Sequence, residues 1–374
     1  MVEWKKIEDL GIYFGGLNGK TKEDFEEGNG KFITYMNVYS NPSLNPSLVG
    51  VVKINEGEKQ NKVQRGDILF TGSSETPEET GMSCVVTDDL EGDFYMNSFC
   101  FGLRLFNPEQ YNLHYFKHLL RSESVRRSIA KTSSGVTRFN ISKARFGKII
   151  IPIPPLSEQT RIVGILDTFT SSIENLKQQI AERRKQYEHY RDQLLDLEGK
   201  EGVEMRTLGS FAEIGTGSSN TQDELENGKY PFFVRSQIVR WKNEYEFDET
   251  AIITSGDGVG VGKVLHYYEG KYALHQRAYR IRINVNDVVP KFLFYFMQKD
   301  FYSYIMSNAY AASVTSVRKP MLINYSIPIP SFSEQSRIVY ILDTFEASIA
   351  NLEAQLKERE KQYEYYRNKL LTFE

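Results

Sequence analysis

Ile151-Pro-Ile-Pro-Pro-Leu-Ser-Glu-Gln-Thr-Arg-Ile-Val163 recurs as Ile327-Pro-Ile-Pro-Ser-Phe-Ser-Glu-Gln-Ser-Arg-Ile-Val339. The match runs without a gap over residues 151–198 and 327–374, at an offset of 176, and 31 of the 48 positions are identical. A period this long is a duplication of two large halves, not a solenoid array. Each copy predicts one long helix. Pro152 and Pro154 hold the lead-in extended, since proline fixes its own φ and restricts the residue before it. Ser157 and Ser333 are the expected N-caps, with Glu158 and Glu334 in the first turn, where the helix dipole favours an anion. Gly199 is the expected stop of the first helix.

Apolar residues inside the repeat alternate steps of four and three. The first series is Ile162, Leu166, Phe169, Ile173, Leu176, Ile180, Arg183, Tyr187, Tyr190, Leu194 and Leu197. The second is Ile338, Leu342, Phe345, Ile349, Leu352, Leu356, Arg359, Tyr363, Tyr366, Leu370 and Phe373. This rhythm predicts a coiled-coil seam. Arg183 and Arg359 break it, either to set register or as arginines whose stems pack while their heads reach solvent. At about 1.5 Å per residue the helix makes a rod of roughly 50 Å, which fits a spacer.

The segments before the helices, 1–150 and 201–326, share landmarks rather than sequence. Strand-then-loop patterns appear at 67–74 and 250–257, β-rich stretches at 99–105 and 279–283, and helical stretches near 113–130 and 291–306. Polar loops at 133–140 and 312–319 then lead into Ile-Pro-Ile-Pro. The pattern predicts two α+β domains of one fold with different surfaces. The chain is thus expected to comprise domains at 1–150 and 201–326 and spacer helices at 151–200 and 327–374.

Composition narrows the class. A length of 374 residues predicts two or three domains, and 25% charged with 40% hydrophobic residues is ordinary for a globular protein. No run approaches the roughly 18–20 apolar residues of a membrane span, and the N-terminus lacks an apolar signal core. Two cysteines without Cys-x-x-Cys exclude a disulfide scaffold and a zinc ribbon, so a reducing cytoplasm is expected. The net charge of −3 conceals local contrast. Residues 113–150 carry 9 Lys/Arg against 1 acid, and 263–319 carry 9 against 3. These stretches suit phosphate contacts; the alternative is a solvated charged face.

No catalytic motif is complete. Gly256-Asp-Gly-Val-Gly-Val-Gly-Lys263 places Asp257 and Val264 where a phosphate-binding loop needs Gly and Ser/Thr, so a strand-to-strand turn is expected. His114 and His118 have helical spacing but no placed partner, which predicts a surface pair and no metal site.

The paired Ile-Pro-x-Pro-x-x-x-Glu-Gln-x-Arg-Ile-Val-x-x-Leu-Asp motif, each copy following a variable segment and opening a heptad helix, resembles the DNA-specificity (S) subunits of type I restriction-modification enzymes. The resemblance covers essentially the whole chain. It implies a non-catalytic, cytoplasmic, sequence-specific DNA-binding subunit with two target-recognition domains and two antiparallel spacer helices, in pseudo-two-fold arrangement. It implies a bipartite double-stranded DNA target. Its implied partners are two N6-adenine methyltransferase (M) subunits and the restriction (R) subunits. No cofactor is expected in this chain; S-adenosylmethionine is expected on M, ATP and Mg on R. Alternatives are a coiled-coil protein scaffold and the specificity subunit of a related, non-translocating restriction enzyme. The loop Thr71–Gly81 departs from the glycine turn of the second domain, which implies a different half-site.

Expected DNA contacts in the first domain are Thr71, Ser73, Ser74, Asn97, Lys131, Thr137, Arg138, Asn140 and Lys143. In the second they are Arg235, Ser255, His275, Gln276, Arg277, Thr315, Ser316, Arg318 and Lys319. Hydroxyl, amide and guanidinium groups there are candidate base readers, and lysines and other arginines such as Lys117 are candidate phosphate holders. The expected coiled-coil and partner interface comprises Ile162 to Tyr187 and Ile338 to Tyr363 of the two seams.

Overall fold

The computed structural model describes residues 1–308 and 316–373. Eight α-helices occur among them: α1 (Tyr35–Ser40), α2 (Leu113–Leu119), α3 (Glu123–Ala130), α4 (Lys143–Gly147), α5 (Leu156–Leu194), α6 (Pro290–Asn308), α7 (Lys319–Ile323) and α8 (Phe332–Leu370). Two compact units result, Met1–Lys177 with Ala354–Glu374, and Gln178–Glu353. The two 39-residue helices α5 and α8 therefore each give one half to each unit.

In the first unit, strands Gly11–Gly15, Cys100–Leu105, Asp67–Thr71 and Ser83–Val85 form one antiparallel sheet in that spatial order. Asp67–Thr71 is buried on both faces, so its run Asp-Ile-Leu-Phe-Thr is nearly continuous in apolar character. α2, α3 and α4 pack there through Tyr115, Phe116, Ile129 and Phe146. In the second unit the corresponding strands are Ala212–Thr216, Ala278–Ile283, Phe247–Ser255 and Leu265–Leu274, extended by Tyr230–Phe233 and Arg240–Lys242. The single helix α6 replaces α2 and α3 and buries Phe292, Leu293, Tyr295, Met297, Phe301 and Ile305. As expected, the glycine-rich segment 256–264 joins two antiparallel strands, with Gly258 and Gly262 at φ values of 82° and 71°.

The repeated lead-in is a strand in both copies. Ile150–Ile153 pairs with Glu3–Lys6, and Ser326–Ile329 pairs with Glu204–Thr207. Each is a two-stranded sheet, so the prolines sit where a missing amide does not interrupt a ladder. The motif glutamine then locks helix to domain. Gln159 Nε2 donates to the Pro154 carbonyl at 2.8 Å, and its Oε1 accepts from the Asn112 amide at 3.0 Å, at the N-cap of α2. Gln335 Nε2 donates to the Pro330 and Asp287 carbonyls at 2.9 Å, and its Oε1 accepts from the Val289 amide at 2.8 Å. Both side chains are buried. Beside each lies an exposed fork, Arg161 on Glu158 and Arg337 on Glu334.

Four expectations need correction. Ser157 and Ser333 are not the N-caps, because the helices start at Leu156 and Phe332, two residues before those caps would start them. Ser331 Oγ accepts the Glu334 amide at 3.3 Å, and in the first copy the Pro155 carbonyl accepts the Glu158 and Gln159 amides. Gly199 does not stop α5, which ends at Leu194 because Leu195 and Leu197 turn into the core of the second unit. In the first unit Leu371 does the same after α8, with Phe373 packed beside it. Leu197 and Phe373 are therefore core residues beyond the helices, not seam positions. Finally, His118 is not at the surface.

The helices run antiparallel in each unit. In the first, Phe169 stacks on Tyr366 at 5.3 Å and Lys177 pairs with Glu360. In the second, Tyr190 stacks on Phe345 at 5.4 Å and Arg184 pairs with Glu353. The seam arginines lie over these rings, Arg359 5.7 Å from Phe169 and Arg183 5.8 Å from Phe345. Stem packing and a cation–π contact thus place them.

The motif aspartates anchor the domain helices. His118 Nε2 meets Asp167 at 2.7 Å and its Nδ1 meets the Tyr363 hydroxyl at 3.0 Å, while Lys117 reaches Asp167 at 2.7 Å. The second unit puts a tyrosine in that place: Tyr295 donates to Asp343 at 2.5 Å, with Lys291 at 2.7 Å. Burial holds the His118 imidazole below its ordinary value against the pull of Asp167. Burial alone would raise the Asp167 carboxyl, but hydrogen bonds from His118 and Lys117 hold it down at about 2.

Two predictions follow from these anchors. Gln159→Leu strands an amide and a carbonyl and should cost the first unit about 2–4 kcal/mol, read by denaturant unfolding; a change within error would refute the clamp. His118 takes up a proton less readily when folded than when unfolded, so the stability present above about pH 6.5 falls as the medium is acidified below that. Asp167 contributes above about pH 4 and loses its share towards pH 2. His118→Tyr should flatten stability between pH 7 and 5, and an unchanged slope would exclude His118 as its source.

Candidate nucleic-acid interface

The polar tips of the two units are built on one backbone frame. In the first unit the Gly72 amide donates to the Phe99 carbonyl at 2.7 Å, and the Gly72 carbonyl accepts from Ile141 at 2.9 Å. In the second, Gly256 donates to the Arg277 carbonyl at 2.9 Å and accepts from Val317 at 2.8 Å. A Cβ at Gly72 would stand 2.8 Å from the Phe99 oxygen, and one at Gly256 2.5 Å from the Arg277 oxygen. Glycine is required because the strands approach so closely. Three chain segments thus converge at each tip.

In the first unit these are Ser73–Ser74, the Asn97–Phe99 turn and the 133–141 hairpin, whose strand Phe139–Ile141 pairs with both Ser133–Ser134 and Ser73–Ser74. Ser73, Ser74, Thr137 and Arg138 line a shared cavity of about 390 Å³. Arg138 Nε donates to Ser73 Oγ at 3.0 Å, and its guanidinium lies 5.2 Å from the exposed Phe99 ring. Asn140 is exposed on the same hairpin, and Lys131 and Lys143 are exposed at the end of α3 and the start of α4. Thr71 is buried, its hydroxyl accepting the Met82 amide at 2.9 Å.

In the second unit Asp257 organises the tip. Arg235 reaches one oxygen at 2.7 Å and Arg277 the other at 3.2 Å. Burial alone would raise this carboxyl, but Arg235 and then Arg277 bring it below its ordinary value. Ser316 forms a bridge with Asp257, and Arg318 and Lys319 are exposed at the start of α7. Gln276 is exposed and donates to Asn220. Ser255 is buried and donates to the Asp257 carbonyl at 2.7 Å. Thr315 lies outside the described residues.

Asn97 and His275 occupy the same place in the frame. Asn97 Oδ1 accepts the Phe99 amide at 2.8 Å, and His275 Nδ1 accepts the Arg277 amide at 3.0 Å. Each shapes a turn that presents the residue after next. Sequence reasoning missed Asp257, dismissed with the failed phosphate loop, and also Tyr35, Tyr39 and Glu79. The Tyr35 hydroxyl holds the Ser73 carbonyl at 2.8 Å, and Tyr39 donates to Glu79 at 2.7 Å. The two tyrosines stack at four-residue spacing, a periodicity that could have marked an exposed aromatic helix face.

Part of each basic stretch is engaged internally. Lys117 is held by Asp167 rather than left for a phosphate. Arg121 donates to the carbonyls of Ser83, Val38 and Tyr39, and Arg126 to those of Gly81, Glu78 and Thr80. Arg280 and Arg282 pair with Glu213 and Glu249. No group of described residues could hold a metal ion, and no described helix is long and apolar enough to cross a membrane.

A family profile described as the type I restriction modification DNA specificity domain matches residues 1–183 and 200–361. The chain belongs to this family. A curated relative in the specificity family, the Escherichia coli type I restriction enzyme EcoR124I/EcoR124II specificity subunit, is 33% identical over 266 residues, 60% of this chain. The matched span is 63% of that relative's length. The crystal structure of a type I restriction-modification S subunit from M. genitalium shares the fold, with a TM-score of 0.61 at 17% identity, covering 100% of this chain and 97% of that one. A chain from a study of type I complex assembly and conformational transition gives 0.63 at 17% identity, covering 99% and 97%. The expected α+β class, with two β-rich domains and two long helices packed together, holds.

Two substitutions at the second tip separate reading from holding. Arg277→Ala should relax one base position of one half-site, costing about 1–3 kcal/mol there. Lys319→Ala should weaken all sequences alike and reduce the salt slope by about one. Binding across a half-site library at several salt concentrations checks both; equal, sequence-independent losses would remove the distinction.

Proposed function

We propose that the chain is the non-catalytic specificity subunit of a type I restriction-modification complex, reading a bipartite double-stranded DNA target. Residues 1–150 and 201–326 act as target-recognition domains, one per half-site, and 151–200 and 327–374 as the spacers between them. The carrying observation is that one glycine-dependent frame is built twice with different side chains at its tip. Ser73, Ser74, Arg138 and Phe99 stand in one unit where Asp257, Arg235 and Arg277 stand in the other. A constant frame with exchanged polar tips suits two readers of two sequences.

On this reading the exposed basic residues Lys131, Lys143, Arg318 and Lys319 hold phosphates. The helices position two N6-adenine methyltransferase subunits, one per strand, which bring S-adenosylmethionine. Restriction subunits join with ATP and Mg for cleavage. On this reading the length of the spacers sets the gap between half-sites.

The test is a long-read methylome of the host with and without this gene. One bipartite adenine motif should vanish on deletion. In a strain where removal of residues 178–184 and 354–360 shortens both helices by one heptad, the motif should lose gap bases or disappear. A methylome indifferent to the gene, with no methyltransferase co-purifying, would leave a coiled-coil scaffold as the better description.

A further inference from the structure

We propose that Glu79 and Arg138 of the first unit together read one cytosine–guanine base pair, Glu79 accepting from the cytosine N4 amine and Arg138 donating to the guanine N7 and O6. This rests on the reading above and adds which side chains decide one position of one half-site, and which base pair stands there.

Both residues line the cavity of about 390 Å³ at the first tip. Two adjacent serines tie them together. Ser74 Oγ donates to Glu79 Oε2 at 3.2 Å, and Ser73 Oγ accepts from Arg138 Nε at 3.0 Å. Thr76 adds a second donor to Oε2 at 3.0 Å, and Tyr39, from α1, donates to Oε1 at 2.7 Å. A carboxylate offers about four acceptor positions. Three are filled here, all by neutral hydroxyls, so the charge stays unpaired and one position on Oε1 stays open. The hydroxyl of Tyr39 first, then those of Thr76 and Ser74, hold this carboxyl below its ordinary value. Glu79 is thus a fixed group that only accepts.

Arg138 is fixed in the opposite sense. Its Nε is engaged by Ser73 and its guanidinium lies 5.2 Å from the Phe99 ring centre. Its remaining N–H groups meet no partner among the described residues. They form a planar fork suited to two adjacent acceptors. The second tip lacks this pairing of free groups, because Arg235 and Arg277 occupy both oxygens of Asp257.

Base-pair edges in the major groove separate the possibilities. Guanine N7 and O6 are adjacent acceptors, followed across the pair by the cytosine N4 donor. Adenine–thymine places its donor between two acceptors, which gives the fork no second acceptor beside the first and sets the carboxylate among acceptors. Only the first order matches a fork next to an acceptor. A carboxylate is also repelled by phosphates unless it meets a donor, so Glu79 penalises wrong bases rather than adding general affinity.

The experiment expresses the full chain with its methyltransferase partner in a host lacking the gene and reads the methylated motif by long-read sequencing. One half of the motif should contain a fixed cytosine–guanine pair. Glu79→Gln, whose carboxamide both donates and accepts, should relax that position and leave the other half-site unchanged. In binding by the purified complex, discrimination there should fall about tenfold. Arg138→Ala should relax the same pair, and Tyr39→Phe, which frees the carboxylate, should blur it less. Glu75 shares the cavity rim and has no hydrogen-bond or ion-pair partner among the described residues, so Glu75→Gln should leave every position fixed. Replacing the cytosine by a pyrimidinone that lacks the N4 amine should weaken the unmodified complex and cost the Glu79→Ala complex nothing further. Relaxation at an adenine–thymine pair, a motif indifferent to both Glu79→Gln and Tyr39→Phe, an equal effect of Glu75→Gln, or additive losses with the pyrimidinone would each overturn the assignment. In those cases the functional reading survives. If the unmodified chain yields no methylated motif, both proposals fall.

Discussion

Two buried glutamines hold this architecture together. A spacer helix that only touched its domain could swing on its proline lead-in. Gln159 and Gln335 prevent that by satisfying, with one planar amide, both the carbonyl that begins the helix and the amide that begins the domain's own helix. An amide can do this because it donates and accepts at a fixed separation. Once it is buried, any other geometry strands polar groups away from water. Each unit is therefore tied to the start of one helix.

The anchors show how one frame accommodates different interiors. Asp167 is met by a histidine and a lysine, and Asp343 by a tyrosine and a lysine. The helix bearing those partners is interrupted in one unit and continuous in the other. The aspartate imposes a donor at one point and leaves the rest of the packing free. The same separation of frame from content occurs at the tips, where two glycines and two turn-forming acceptors are constant in role while the presented side chains differ.

Much of this was legible because duplication compares the chain with itself. The helices, their heptad seam, the strand positions and the meaning of the glycine loop follow from spacing alone. Ends were less legible. Helix starts depend on which group caps them, and Ser333 cannot be told from Ser331 without the turn geometry. Helix stops depended on tertiary burial of Leu195 and Leu371, which overrode the glycine four residues further on. At the tips, polarity marked loops that the fold brings together but not each residue's employment. Thr71 and Ser255 face inward, Asn97 and His275 shape turns, and Arg121 and Arg126 serve backbone carbonyls. A guanidinium reads alike in sequence whether it faces a phosphate or a carbonyl, since only the fold decides which is near.

Sharing both helices between units also bears on synthesis. The first unit buries Leu371 in its core and places Tyr363 against His118. Those residues are translated more than 250 positions after the sheet strands they complete. During elongation the sheet of the first unit can pack α2, α3 and α4, but the place that the end of α8 fills stays open until the second repeat leaves the ribosome. The second unit meets no such delay, since its share of both helices, Gln178–Glu353, is one continuous stretch. Although made second, it is the unit able to finish first, and the nascent chain matures from its middle outward.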